Sequence, residues 1–98
     1  MTAPAPGPIH RLPASVLFGN AGAELAAGSR ALAEGASGLD LAGCADFDSS
    51  LIGILLELRR QATSRGQALG LIGPPPNLRK LAQLYGVDAL LFGPHEPA

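Results

Sequence analysis

The most regular hydrophobic pattern in the chain lies in its middle third. After the run Asp48-Ser49-Ser50, apolar residues recur at helical spacing and fall within one arc of a helix surface: Leu51, Ile54, Leu55, Leu58 and Ala62. Asp and Ser at a helix start can each accept a hydrogen bond from a free backbone N–H of the first turn. The pattern therefore predicts a helix that begins at this polar run, continues to about Ser64 and covers a sheet.

Two features of this helix leave alternatives open. Ile52 and Leu56 lie beside the main arc, where they either pack under a neighbouring helix or form an apolar patch for a partner. The run Asp48-Ser49-Ser50 is a simple helix cap, or else Ser49 stands at a contact or modification site, because the same N–H groups attract anions. Three arginines lie near the helix C-terminus: Arg59, Arg60 and Arg65. Positive charge there interacts favourably with the helix macrodipole, so these residues need no ligand to explain them.

Shorter segments on both sides alternate between strand and helix patterns. Predicted strands are Ile9–Leu12 at an edge before Pro13, Ser15–Gly19, Leu39–Ala42 at the centre and Ala68–Ile72, with Val87–Phe92 as a final short strand or extended tail. Predicted helices are Ala21–Glu34, capped by Asn20, and a last helix that opens at Asn77 or a proline and ends at Gly86. This alternation is typical of parallel crossovers with helices against a sheet.

Length and composition favour one small domain. Residues 9–92 carry the pattern, while the Pro/Ala/Gly-rich leader 1–8 and the tail 93–98 are expected to be disordered. A net charge of −1 without a basic block argues against a nucleic-acid surface. The single cysteine, Cys44, excludes an internal disulfide and is expected to be buried or half-buried. Neither a signal peptide nor an apolar run of about 20 residues is evident, so we expect a soluble cytoplasmic chain.

Evidence for catalysis is weak. His10 and His95 fall in expected terminal segments, and the sequence contains no zinc-protease motif, phosphate-binding glycine loop or nucleophile elbow. Asp46 and Asp48 are two apart on a loop, a spacing that favours a solvated turn and a cap over a general acid/base pair. Tyr85 is expected to be a helix core residue with its hydroxyl at the rim. We therefore expect neither enzymatic activity nor a cofactor or metal.

The order of these motifs resembles the STAS domain family (sulfate transporter and anti-sigma-factor antagonist). The resemblance rests on Leu39-Asp40-Leu41, on the run Asp46–Ser50 before the apolar helix, and above all on the segment Asn77–Leu91. It extends over roughly residues 9–92 and is nearest to the MlaB type, the small STAS subunits of phospholipid-transport ABC complexes. It implies a STAS-like mixed sheet of about four strands with helices packed on it.

The resemblance also implies a role in partner binding. STAS domains contact partners through the first turn of the helix that Ser49 opens here, which makes these residues the expected partner-binding set: Asp46, Asp48, Ser49, Ser50, Ile52 and Leu56. The implied partner is an ABC-transporter ATPase subunit (MlaF-like) and, through it, the permease, at the inner face of the inner membrane. The implied function is support of a transporter that maintains outer-membrane lipid asymmetry. No nucleic acid, membrane insertion or small-molecule substrate is expected.

Two other classes remain as alternatives. In anti-sigma-factor antagonists the hydroxyl residue after the aspartate is phosphorylated by a partner kinase, and that position matches Ser49. Leu51 stands here where that family pattern has glycine, and an apolar side chain beside the serine suits permanent docking better than approach by a kinase loop. An acyl carrier protein would carry its prosthetic arm on Asp-Ser-Leu, but here Ser50 interrupts that run, and the chain lacks a carrier's acidity.

Overall fold

The computed structural model describes residues 7–92, which form five short strands and four helices. The predicted leader and tail therefore fall largely outside the described residues. In chain order the elements are β1 (Ile9–Arg11), β2 (Ser15–Val16), α1 (Phe18–Ala33), β3 (Gly38–Asp40), β4 (Asp46–Phe47), α2 (Ser49–Ser64), β5 (Gly70–Ile72), α3 (Pro76–Leu84) and α4 (Asp88–Phe92).

The strands form two parallel ladders. β3 lies at the centre of a three-stranded sheet in the order β1-β3-β5, as its alternating pattern predicts, and Leu39 is in register with His10 and Leu71. β2 and β4 pair separately, with Val16 opposite Phe47. The α/β class is confirmed. The expected mixed sheet of about four strands is not what forms, because every strand pair within residues 7–92 is parallel and joined through helical crossovers.

Helix α2 has the predicted bounds and the predicted buried face. All five residues of the apolar arc are buried, and Gly66, with a φ of 70°, follows the helix end. α1 packs across α2 at a close approach, since a Cβ atom on Gly28 would lie 2.7 Å from Cδ1 of Leu58. The absence of a side chain at Gly28 therefore sets how near these two helices come.

Helix α1 begins at Phe18, earlier than the predicted Ala21, and the strand predicted for Ser15–Gly19 ends at Val16. Asn20 lies inside the first turn and does not occupy the cap position. Its Oδ1 accepts a hydrogen bond from the N–H of Leu17 at 2.7 Å, and its Nδ2 donates to the carbonyl of Ser15 at 2.9 Å. Asn20 thus stabilises the helix start from one turn further along.

The C-terminal segment differs from prediction in two places. Val87–Phe92, expected as a strand or an extended tail, contains the short helix α4. Leu91, which is 1% exposed, donates its N–H to the carbonyl of Val87 at 3.1 Å, so helical spacing buries its side chain. Tyr85, expected in the core, is 53% exposed because α3 ends at Leu84 and Tyr85 follows as its C-cap. Gly86 ends α3 as predicted, with a φ of 72°.

Candidate functional site

Two helix N-termini meet at one end of the domain. β2 leads through Leu17 into α1, and β4 leads through Asp48 into α2. Because β2 and β4 are parallel and in register, the residues that follow them come to lie side by side. We call the surface formed by Leu17, Phe18, Asp46, Asp48 and Ser49 the paired N-terminal surface.

Asp48 connects the two helices through its carboxylate. Oδ1 accepts the N–H of Ser50 in the first turn of α2 at 2.9 Å, and Oδ2 accepts the N–H of Phe18 at the start of α1 at 3.0 Å. These two backbone hydrogen bonds lower the pKa of Asp48, so the carboxylate stays charged beside two positive helix ends. The predicted cap is confirmed, and its carboxylate serves two helices at once.

Asp46 is also held in place. Its Oδ2 accepts a hydrogen bond from the hydroxyl of Ser15 at 2.9 Å, across the ladder between β2 and β4. The two aspartates thus make separate structural contacts, and the loop predicted for Asp46–Ser50 contains strand β4.

Ser49 is the first residue of α2 and is exposed, whereas Ser50 is half-buried. Phe18, whose N–H binds the carboxylate of Asp48, the residue before Ser49, is 85% exposed although this bond fixes its backbone. Phe18 was missed as a surface residue because its apolar neighbours extend a strand pattern. A large aromatic side chain in water beside an exposed hydroxyl is a feature of interaction surfaces.

Three apolar residues of α2 bear on the expected interface. Ile52 is 5% exposed and belongs to the core, as expected for the alternative in which it packs under its neighbours. Leu56 is half-buried against the same core. The roles of these two residues as partner contacts remain predictions. Leu51 is fully buried, so the expectation that it would present an apolar side chain beside Ser49 is wrong.

Few residues in the described part of the chain have side chains suited to metal binding or catalysis. Within residues 7–92 no cluster of three or more His, Cys, Asp or Glu residues could hold a metal ion. Cys44 is buried as predicted, and burial raises the pKa of its thiol. His10 lies in β1, not in a terminal tail, whereas His95 lies outside the described residues. No described helix has both the length and the apolar character needed to cross a membrane.

Comparison with known protein families identifies a matching family. A family model described as "Mlab, STAS domain" matches residues 14–92, which include β2, β4 and the whole paired N-terminal surface. Comparisons with curated proteins and with solved structures gave no significant match.

Proposed function

The chain belongs to the MlaB family of STAS domains, and on that premise we propose that it is a non-catalytic subunit that binds the ATPase of an ABC phospholipid transporter. In this proposal the chain acts at the inner face of the inner membrane and supports transport that maintains outer-membrane lipid asymmetry. The ATPase is the direct partner, and the permease is reached through it. The paired N-terminal surface is the side of the domain that docks.

The observation that carries this proposal is the exposed pair Ser49 and Phe18 on a rigid base. Aromatic residues are enriched among the side chains that contribute most to binding, especially when they are already held in place. The backbone of Phe18 is held by Asp48, and Ser49 begins a helix whose apolar arc is buried. Docking would therefore lose little backbone conformational entropy, and it would bury one large apolar side chain.

Charge gives this surface its specificity. Asp48 directly precedes Ser49 and stays ionised, and Asp46 lies three residues before Ser49. A further negative charge at Ser49 would therefore be repelled by nearby carboxylates. A partner surface shaped for a neutral hydroxyl would also have to desolvate that charge. Docking should accordingly require an uncharged residue at position 49.

Copurification of the ATPase subunit with the tagged chain tests the proposal. Ser49→Glu and Phe18→Ala should each abolish or strongly weaken recovery of the ATPase. Ser64→Glu is the matched control, because it places the same exposed charge at the opposite end of α2. Circular dichroism shows whether each variant is folded. Recovery that is equal for Ser49→Glu and Ser64→Glu would exclude this surface as the interface.

One observation favours a second candidate function, that of an anti-sigma-factor antagonist. Since Leu51 is buried, it does not obstruct a kinase loop, and the exposed hydroxyl of Ser49 is accessible. Incubation with ATP and a cognate anti-sigma kinase, followed by intact mass measurement, tests this function. A phosphate on the wild type that is lost in Ser49→Ala would support it, and an unmodified chain would reject it.

A further inference from the structure

A cavity of about 270 Å³ lies far from the paired N-terminal surface, between the edge of the sheet and the last three helices. Arg59 of α2 and Arg79 of α3 line it together with apolar residues from the start of β5 and from α4: Leu69 just before β5, Leu71, Leu91 and Phe92. Arg59 is ten residues beyond Ser49 on α2, or about 15 Å along the helix axis. The cavity is thus a separate site from the proposed docking surface.

Both arginines are positioned by neighbours that leave their charge unneutralised. Arg59 donates from Nη2 to the carbonyl of Leu91 at 2.9 Å, while its Nε is shielded from solvent without an acceptor in the described part of the chain. The guanidinium of Arg79 lies 4.7 Å from the ring centroid of Phe92. Among residues 7–92 neither arginine forms a salt bridge, whereas Arg11 and Arg60 each do. The cavity is thus lined by two guanidinium groups that no described carboxylate neutralises, and an anionic ligand would supply the missing negative charge.

The free edge of β5 borders this cavity through Gly70 and Leu71. Gly70 donates to the carbonyl of Ser37, and Leu41 donates to the carbonyl of Ile72, so Gly70 and Ile72 turn their backbone groups toward β3. In a parallel ladder alternate residues face opposite neighbours, so the N–H of Leu71 faces the free edge, where no described strand pairs with it. The carbonyl of Leu71 faces the same edge, so the positive charge of the cavity comes from the two guanidinium groups, with apolar walls beside them.

We propose that this cavity binds a small oxyanion, a carboxylate or a phosphate group, carried on a short apolar body. Guanidinium groups match both kinds of oxyanion through paired, charge-assisted hydrogen bonds. The leucine side chains and Phe92 would contact the apolar part of the ligand. This inference does not depend on the proposed docking partner.

Titration of the ¹⁵N-labelled chain with inorganic phosphate and with butyrate, at constant ionic strength against chloride, tests the proposal. We expect saturable shifts of the Leu71 amide, with affinity lowered about tenfold or more in Arg79→Gln. Arg65→Gln, an exposed arginine at the end of α2, is the matched control and should bind as the wild type does. The spectra themselves show whether both variants are folded.

Each outcome of this titration is decisive. Saturation by phosphate alone identifies a phosphate-bearing ligand, saturation by butyrate alone a carboxylate, and saturation by both supports the shared oxyanion chemistry. Shifts that grow linearly with both anions, or an affinity equally reduced in Arg65→Gln, would mean general ionic attraction and would overturn the proposal.

Discussion

The close approach of α1 and α2 at Gly28 makes a quantitative prediction. A Cβ at this position would lie 2.7 Å from Cδ1 and 3.2 Å from Cδ2 of Leu58, whose side chain is fully buried and has little room to move. Overpacking of this kind costs about 1–3 kcal/mol. The better helix propensity of alanine returns up to about 1 kcal/mol. Gly28→Ala should therefore lower the free energy of unfolding by about 1 kcal/mol.

Urea unfolding followed by circular dichroism measures this change, and Gly22→Ala is its control. Gly22 lies on the same helix and is exposed, and a Cβ at this position would meet no atom within 4 Å. Alanine there should therefore raise the free energy of unfolding by up to about 1 kcal/mol. In a Leu58→Ala background the obstruction is absent, and Gly28→Ala should become neutral or stabilising. An equal cost of Gly28→Ala in both backgrounds would refute the steric argument.

Two further predictions concern Asp48 and α4. Because hydrogen bonds lower the pKa of Asp48 in the folded state, its carboxylate contributes stability above the unfolded pKa of about 3.9, and this contribution is lost as the pH falls through the lower folded value. Urea unfolding should thus find Asp48→Asn less stable than wild type at neutral pH, with a difference that shrinks in acid; a constant difference would contradict the ionic cap. Leu91→Ala should cost about 2–5 kcal/mol, since Leu91 is buried, whereas Leu90→Ala, at a site 63% exposed, should change stability by about 0.5 kcal/mol or less. Equal unfolding midpoints for these two variants would contradict the packing of α4.

Local signals were sufficient where several of them agreed. For α2 the apolar period, the cap at Asp48 and the stop at Gly66 all indicate one helix, and the observed bounds match. At Val87–Phe92 a short apolar run carried only one signal, which a strand and a buried helix share. The helix is favoured because it packs Leu91 into the hydrophobic core, which is built from residues far away in the chain.

The candidate site was predictable only on the α2 side. Asp48 and Ser49 follow from cap chemistry that lies within a few residues. Phe18 is 30 residues before Asp48, and the two come together only because β2 pairs with β4 in register. Each of these strands has two residues, too few to show a period, so no pattern in the sequence could predict their pairing.

This arrangement determines which variants can separate docking from folding. The carboxylate of Asp48 bonds to the first turns of both helices, so its removal would loosen α1 and α2 together and disturb any surface built on them. Lost binding in an Asp48 variant would therefore not distinguish a partner contact from a structural one. The side chains of Ser49 and Phe18 are exposed and support no described contact in the core. Their substitution changes what a partner meets without removing a described core contact, so variants at these two positions separate docking from folding at the paired N-terminal surface.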